Sequence, residues 1–131
     1  MIAAGALLAG LSVAAGAFGA HGLTSQLRND TQITRDEADR RLEIFDKAAR
    51  YHMYHAIGVV LAGLVALRHP TGWLTVAGGL FIVGILVFSG CLYAMALGGP
   101  RRLGAVVPIG GVSFILGWVC LAVAAWRATN D

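Results

Sequence analysis

Charged residues are scarce in this chain, and four long stretches contain none at all. Of its 131 residues, 57% are hydrophobic and only 13% are Asp, Glu, Lys or Arg. The stretches without these four residue types are 1–27, 51–67, 69–100 and 103–126. A soluble helical bundle needs a polar face on each helix, whereas a membrane span needs about 20 apolar residues at about 1.5 Å each. The stretches therefore predict membrane-spanning helices at about 2–23, 50–67, 72–97 and 103–126.

The chain also lacks the regular polar–apolar alternation of a membrane barrel, so helices are the only structure that can span the bilayer. The first stretch has no basic n-region of a secretion signal, because Met1 leads directly into Ile2 and Ala3, and we expect a retained helix. These features predict an all-α fold in a single domain, residues 1–131. Its form is an integral membrane four-helix bundle with a helical cytoplasmic loop between helices one and two.

Motifs of soluble enzymes and of metal centres are missing as well. The chain has no Cys-x-x-Cys, phosphate-binding loop or His-Glu-x-x-His, and its apolar stretches hold no acidic residue that could orient a catalytic base. The sequence therefore predicts neither an enzyme nor a bound cofactor or metal. We expect Cys91 and Cys120 in opposite leaflets, as packing residues, because a disulfide needs Cα atoms within about 7 Å.

The basic residues are distributed unevenly between the two ends of the predicted spans. One end carries only Arg68 and Arg127. The other end carries Arg28, Arg35, Arg40, Arg41, Lys47, Arg50, Arg101 and Arg102. Under the positive-inside rule, this bias places the long loop in the cytoplasm and both termini in the periplasm of a multi-pass inner-membrane protein. The net charge of +3 reflects this topology, so we expect a lipid bilayer around the chain and no nucleic acid.

The long loop carries its own helix signals. Thr34 and Glu37 have the spacing of a capping box. Acid precedes base by four residues in the pairs Asp36–Arg40, Glu37–Arg41, Glu43–Lys47 and Asp46–Arg50. Each such pair stabilises a helix by about 0.2–0.5 kcal/mol. We expect a helix over about 35–49 that lies on the cytoplasmic surface or runs directly into the second span, after a flexible segment at 24–32.

Glycine is abundant, with 18 residues, and small residues recur at four-residue spacing in the predicted spans. In a bilayer, helices associate largely through close contact at small residues. The residues expected to pack the helices together are Gly16, Gly19, Gly22, Gly90, Pro108, Gly110 and Gly111. A bundle packed in this way leaves little room for a pore of its own.

Polar residues of the apolar stretches gather at one predicted membrane depth. Counted at 1.5 Å per residue, they lie within about 13 Å of the cytoplasmic boundary. The residues of this candidate polar or ligand cluster are His21, Tyr51, His52, Tyr54, His55, Ser89 and Tyr93. Four interpretations of this cluster are open. It is a structural hydrogen-bond network, a ligand or partner site, a metal or haem site, or a path for protons or solutes.

Four motifs in chain order carry a resemblance. The segments GAFGAHGL, FDKAARYHMYHAIG, FSGCLYAMAL and PIGGVSFILGW are similar to those of the YgdD-like family of small four-helix membrane proteins. The resemblance implies a bacterial inner-membrane protein with four spans and mitochondrial relatives, and it supplies no biochemical activity. The residues carried over are Gly19, His21, Gly22, Tyr51, Tyr54, His55, Ser89, Gly90, Tyr93, Pro108, Gly110 and Gly111. His52 departs from the family pattern, which more often has Gln there, and the charged segment 28–41 is longer than the usual connector.

These features favour a role without catalysis. We expect a small integral-membrane scaffold or accessory subunit of a larger membrane complex, with a membrane-protein partner or as a homo-oligomer. Energy-transducing complexes are candidates by analogy with other small helical subunits. The alternative is an oligomeric transporter or channel for protons, metal ions or a small solute, which would use His21, His55 and Tyr93. A haem- or metal-binding membrane protein is the remote alternative.

Overall fold

Four helices make up the computed structural model, which describes residues 1–130. Helix α1 spans Ile2–Asn29, and helix α2 spans Arg35–Ala66. Helix α3 spans Gly72–Ala96, and helix α4 spans Val107–Asn130. The described residues include no β-strand, so the predicted all-α class is confirmed.

Two of the helices contain a stretch with π-helical geometry. In α1 this stretch is Phe18–Leu23, and in α3 it is Ile85–Ser89. A short 3-10 turn, Arg101–Ala105, leads into α4. The first stretch lies within the motif GAFGAHGL, and the second overlaps the start of FSGCLYAMAL at Phe88 and Ser89. Such stretches occur frequently at functional sites.

The helices pack mainly in chain order, so α1 and α4 are the outer helices. α1 packs on α2, α2 also packs on α3, and α3 packs on α4. Met1 lies beside Gly78 near the start of α3, and Arg127 lies over the Trp73 ring. The start of α1 and the last turns of α4 are therefore at the same end of the molecule.

Three stretches are long and apolar enough to cross a membrane: α1, α3 and Arg101–Thr129, which contains all of α4 except its last residue. The predicted span at 50–67 is not among them. His52 and His55 lie in its first turns and make it less apolar than the others. Both histidines are buried against neighbouring helices, so their polarity is not presented to lipid.

Close backbone contact and one serine hold each outer helix to its inner neighbour. The Ser12 hydroxyl of α1 donates to the Ala49 carbonyl of α2, and the Ser113 hydroxyl of α4 donates to the Leu80 carbonyl of α3, both at 2.8 Å. A Cβ at Gly110 would lie 2.5 Å from the Phe88 backbone nitrogen, which shows how closely α3 and α4 approach. The two outer contacts therefore use the same chemistry.

The apolar core is centred on Phe81 of α3, which is fully buried. Its ring lies against Gly58 of α2 and Gly117 of α4, where a Cβ would approach ring carbons to 2.9 Å and 2.7 Å. Ala56, Val59 and the other buried residues of the cluster surround this contact. The small residues thus make room for one large aromatic ring shared by three helices.

The segment 35–49, where the sequence predicts a loop helix, is the first part of α2, and this helix runs without a break from Arg35 to Ala66. Thr34 caps it, because its hydroxyl accepts a hydrogen bond from the Glu37 backbone N–H at 3.2 Å. Three predicted ion pairs form, namely Glu37–Arg41, Glu43–Lys47 and Asp46–Arg50. The fourth differs, because Arg40 pairs with Glu37 instead of Asp36.

The segment predicted to be flexible differs from its expectation in part. Helix α1 continues through Thr24–Asn29, where the buried Leu27 packs with Ala38 of α2. The two cysteines are free, as predicted: Cys91 is half-buried and Cys120 is buried.

Candidate functional site

Polar residues of α2 and α3 meet where these two helices pack together. His52 of α2 is buried, and its Nδ1 lies 3.4 Å from the Tyr93 hydroxyl oxygen of α3. The two rings are nearly edge to face, with centroids 6.2 Å apart. The Phe45 ring packs on Tyr93 at 4.9 Å between centroids and covers this contact from the side of α2.

Two buried polar atoms in this part of the molecule have no hydrogen-bond partner among the described residues, namely His52 Nε2 and Ser89 Oγ. Ser89 is fully buried, ends the π-helical stretch of α3 and precedes Tyr93 by about one turn. Buried polar atoms are nearly always paired, so these two are exceptions. The Tyr93 hydroxyl lies against His52 and leaves Ser89 Oγ without a partner in the part of the chain that the structure describes.

His55 occupies an aromatic environment one turn further along α2. Its Nδ1 donates a hydrogen bond to the Tyr51 carbonyl oxygen at 2.7 Å. Its ring stacks on Phe114 of α4, with centroids 3.3 Å apart and an interplanar angle of 8°. The Tyr51 ring packs on Phe88 of α3 at 4.8 Å. His55 therefore joins an inner helix to an outer one through packing, and it does not contact the hydroxyl of Tyr93.

His21 and Tyr54 lie outside this cluster. Both side chains are exposed. α1 contacts α2 through the buried Leu23, and the exposed His21 precedes Leu23 by two residues, which is close to half a turn of helix. His21 therefore lies on the opposite side of α1 from α2. The shared membrane depth of His21 and His55 does not bring them together.

The histidines are not arranged as a metal or haem site. Among the described residues, no three histidine, cysteine or acidic side chains are placed to hold a metal ion. A haem held between two helices would need histidines that face each other. His52 and His55 both belong to α2, whereas His21 lies on the far side of α1. The geometry gives these two interpretations no support.

The side of α1 that faces away from α2 consists mostly of small residues and ends in His21. Its exposed residues follow helical spacing, and we call them the α1 outer face: Ala3, Leu7, Gly10, Ala14, Ala17 and His21. A Cβ at Gly10 would meet nothing within 4 Å. Leu11 and Val13, each 62% exposed, border this face, and Leu7 within it is 71% exposed.

The exposed side of α4 has a different composition. Its residues are large and aliphatic, and we call them the α4 outer face: Ile109, Val112, Ile115, Leu116 and Val119. The exposed fraction of these side chains lies between 48% and 65%. Such residues are typical of a surface that contacts lipid tails.

A network of ions joins α2 to the turn before α4. The Glu37 carboxylate accepts hydrogen bonds from Arg40 at 2.9 and 3.0 Å, from Arg41 at 2.9 Å and from Arg101 at 3.2 Å. The hydrogen bonds from Arg40 and then Arg41 lower the pKa of Glu37 from 4.5 to about 2. The Glu37 carboxylate in turn raises the pKa of Arg40. This network connects a residue early in the chain to one 64 positions later.

The residues predicted to pack the helices fall into two groups. A Cβ at Gly19 would lie 2.7 Å from the Phe45 ring, and one at Gly22 would lie 2.9 Å from Phe18. Gly19 and Gly110 therefore stand in close contacts between helices, whereas the neighbour of Gly22, Phe18, belongs to α1 itself. The others have free space or ordinary contacts, and Pro108 is exposed in the first turn of α4; they are Gly16, Gly90, Pro108 and Gly111.

Comparison with known proteins places this architecture in a family. The model of a family described as "Protein of unknown function (DUF423)" matches residues 15–111. That range contains both π-helical stretches, the polar residues of α2 and α3, and the ion network. The chain belongs to the DUF423 family.

Relatives from staphylococci and bacilli extend the similarity over nearly the whole chain. The UPF0382 membrane protein SERP0230 of Staphylococcus epidermidis is 43% identical over 125 residues, which cover 94% of this chain and 92% of the relative. The UPF0382 membrane protein YwdK of Bacillus subtilis is 41% identical over 122 residues, with coverages of 92% and 91%. No solved structure matches the chain.

These comparisons support the coarser part of the resemblance drawn from the four motifs. The chain is a member of a membrane-protein family, and the names of its relatives describe them as membrane proteins. The family is identified as DUF423, through relatives in Staphylococcus and Bacillus, instead of by the YgdD-like name. A membrane location therefore stands on both the relatives and the apolar helices.

Proposed function

We propose that this DUF423 protein is a small integral-membrane scaffold or accessory subunit that docks through the α1 outer face on a transmembrane helix of a larger membrane complex. The observation that carries the proposal is the series of small exposed residues on that face, together with the open space in front of Gly10. In membrane proteins, small residues concentrate where helices touch, because they allow backbones to approach closely.

The position of His21 also favours docking at the α1 outer face. It is exposed at the end of the α1 outer face, seven residues before Arg28, the first charged residue of the chain. A polar side chain that faces away from its own protein near the hydrocarbon is costly, and membrane helices often satisfy such groups across an interface. The expected occupant is therefore a helix with small residues at the crossing point and a hydrogen-bonding group opposite His21.

The test compares two identical substitutions at glycines with open space before them. Gly10→Leu fills the α1 outer face, whereas Gly79→Leu makes the same change on an exposed site of α3. Each variant is expressed at native level, extracted from its own membrane in mild detergent and weighed by native mass spectrometry. We expect the wild type and Gly79→Leu to carry additional subunits of defined mass, and Gly10→Leu to lose them.

Three outcomes would overturn the proposal. A bare monomer for the wild type would remove the partner. A mass that is a multiple of the chain alone would identify a homo-oligomer. Equal retention of subunits by both variants would move the interface away from α1. His21→Ala sharpens the result, because an exposed side chain can be removed without a loss of folding, and we expect it to weaken the complex.

We further propose that the end of the molecule rich in arginine and lysine faces the cytoplasm and that both termini face outward across the inner membrane. The support is the eight-to-two distribution of basic residues, which the positive-inside rule relates to orientation. Single cysteines at His69 and at Asp30, introduced into a Cys91→Ser/Cys120→Ser chain, test it. An impermeant thiol reagent applied to whole cells should label position 69 and spare position 30. The reverse pattern would invert the topology.

Proton movement is the second candidate function, and the unpartnered His52 Nε2 and Ser89 Oγ favour it. Such atoms inside an apolar protein are the kind of groups that relay protons. The test is proton flux into proteoliposomes that contain a pH-sensitive dye, with wild type and Ser89→Ala. Flux that the variant abolishes would establish this function. A proton flux equal to that of empty vesicles would exclude proton movement, and the scaffold function would remain as the proposal.

A further inference from the structure

Three guanidinium groups share one carboxylate where α2, α3 and α4 come together. Arg40, Arg41 and Arg101 all donate hydrogen bonds to Glu37. Three positive charges therefore face one negative charge, and Arg102, which is exposed, adds a fourth positive charge next in the chain. The site has a surplus of positive charge that its own residues do not neutralise.

Donors remain for a further anion. Arg41 bonds Glu37 through Nε, and Arg101 does so through Nη2, so each guanidinium has other N–H groups without an acceptor among the described residues. The Arg101 side chain is 76% exposed. A guanidinium with free N–H groups matches the geometry of a phosphate. The low pKa of Glu37 agrees with the positive potential of the surroundings.

Apolar side chains flank these arginines on the same connection between α3 and α4. Leu97 is 57% exposed, and Val106 is 38% exposed. Between them, Gly98 has φ +97, a conformation that favours glycine, and a Cβ there would lie 3.4 Å from Arg41 Nη1. The turn therefore brings the Arg41 guanidinium beside the residue that follows Leu97. Positive groups and exposed apolar side chains lie together at one edge of the molecule.

We propose that this surface, formed by Arg41, Arg101, Arg102, Leu97 and Val106, binds an anionic phospholipid. The phosphate accepts hydrogen bonds from the arginines, and an acyl chain lies along Leu97 and Val106. A free phosphate ion would satisfy the arginines and leave the apolar part unused, which is why the lipid is the occupant. The inference does not depend on the proposed scaffold function, because it concerns α2 and the connection between α3 and α4, and not the α1 outer face.

The experiment counts lipids bound to the intact chain. The protein is purified in a neutral detergent and titrated with phosphatidylglycerol, and bound lipid is measured by native mass spectrometry. The double variant Arg101→Gln/Arg102→Gln removes two charges at the site. Arg68→Gln/Arg127→Gln removes the same charge at the opposite end and serves as the matched control. Circular dichroism verifies that each variant keeps its helices, which is expected because Arg101 and Arg102 are exposed.

We expect phosphatidylglycerol to bind about tenfold more weakly to the site variant and with unchanged affinity to the control. Phosphatidylcholine, whose headgroup has no net charge, should bind the wild type as weakly as phosphatidylglycerol binds the site variant. Equal losses in the two double variants would overturn the site, because only net charge would then matter. Displacement of phosphatidylglycerol by millimolar inorganic phosphate alone would show a phosphate site without a role for the acyl chain, and would also overturn the proposal.

Discussion

Helices α1 and α4 hold the same position at the two sides of the molecule, yet they present opposite surfaces. Each is an outer helix, and each is joined to its inner neighbour by one serine-to-carbonyl hydrogen bond of 2.8 Å. Of the residues in the most apolar part of α1, 17% are buried, whereas 33% are buried in the most apolar part of the span that includes α4. The α4 outer face carries large aliphatic residues, whereas the α1 outer face carries Gly10, Ala14 and Ala17.

The comparison teaches that apolarity alone does not tell what a membrane helix contacts. Both outer faces are compatible with lipid by composition, and residue size distinguishes them. Large side chains fill the irregular space between lipid tails, whereas small ones allow another backbone to approach. On this reasoning we propose that α4 contacts lipid and α1 contacts another protein, and three pairs of substitutions test the contrast.

The largest loss of stability is expected from substitution of a glycine on the side of α4 that packs against α3. In Gly110→Leu the new Cβ would lie 2.5 Å from the Phe88 nitrogen, so α3 and α4 must separate. We expect the free energy of unfolding to fall by about 3 kcal/mol. Gly10→Leu should change it by less than about 0.5 kcal/mol, because the α1 outer face is open. Reversible unfolding in mixed micelles, followed by circular dichroism, gives both values, and equal losses would contradict the contrast.

Alanine substitutions of the histidines on α1 and α2 should also differ in their effect on the free energy of unfolding, but by less than the two glycine substitutions. His55→Ala removes a ring that is stacked on Phe114 at 3.3 Å between centroids, so we expect a loss of about 2 kcal/mol in the free energy of unfolding. His21→Ala removes an exposed side chain and should stay within about 0.5 kcal/mol. The same unfolding measurement applies. A large loss for His21→Ala would show that α1 packs against its own chain on that side.

The two serines should behave alike, because their hydrogen bonds have the same length. Ser12→Ala and Ser113→Ala each remove a bond to a backbone carbonyl of the neighbouring helix. Polar contacts between membrane helices contribute about 0.6 kcal/mol on average, so we expect two similar losses of that size. Melting of each variant in the same detergent provides the measurement. A loss confined to one serine would show that the two outer contacts are not equivalent.

Protonation of Glu37 should have a local effect. The folded-state pKa, about 2, is below the ordinary value of 4.5, so the ion network stabilises the fold above pH 4.5 and loses this contribution as the pH falls towards 2. Hydrogen exchange of the amides of residues 35–41 should therefore speed up between pH 4.5 and 2, after correction for intrinsic rates. Glu37→Gln should exchange fast throughout this range, and a wild type without any transition would refute the network.

Much of the helical structure was predictable from the order of charged and apolar residues. The capping residue Thr34, the acid–base pairs and the apolar stretches each depend on residues close in sequence, and the corresponding helices formed. Arg40 is an exception, because it pairs with Glu37 and not with the predicted Asp36. Glu37 also binds Arg101, which is 64 residues away in the chain, so Arg40 belongs to the same ion network as Arg101. Sequence spacing within one helix holds no information about such a distant partner.

The candidate cluster was predictable only in depth. Counting residues from the charged ends placed the histidines, tyrosines and Ser89 at one level, and His52 and Tyr93 do meet there. The stacking of His55 on Phe114 had no sequence signal, because it depends on how α4 is rotated against α2. The open space in front of Gly10 was not predictable either, because the sequence does not indicate whether the helix face around a glycine is covered by a neighbour.

The sequence by itself determined that this protein consists of apolar helices and where the charges interrupt them, because length and composition decide whether a segment can remain in a bilayer. The tertiary structure alone decided which helices are inner, that His21 faces away from His55, and which glycines stand in contact. The physical reason is that depth follows from the rise per residue, whereas the direction of a side chain around the helix axis acquires meaning only from the neighbour that covers it.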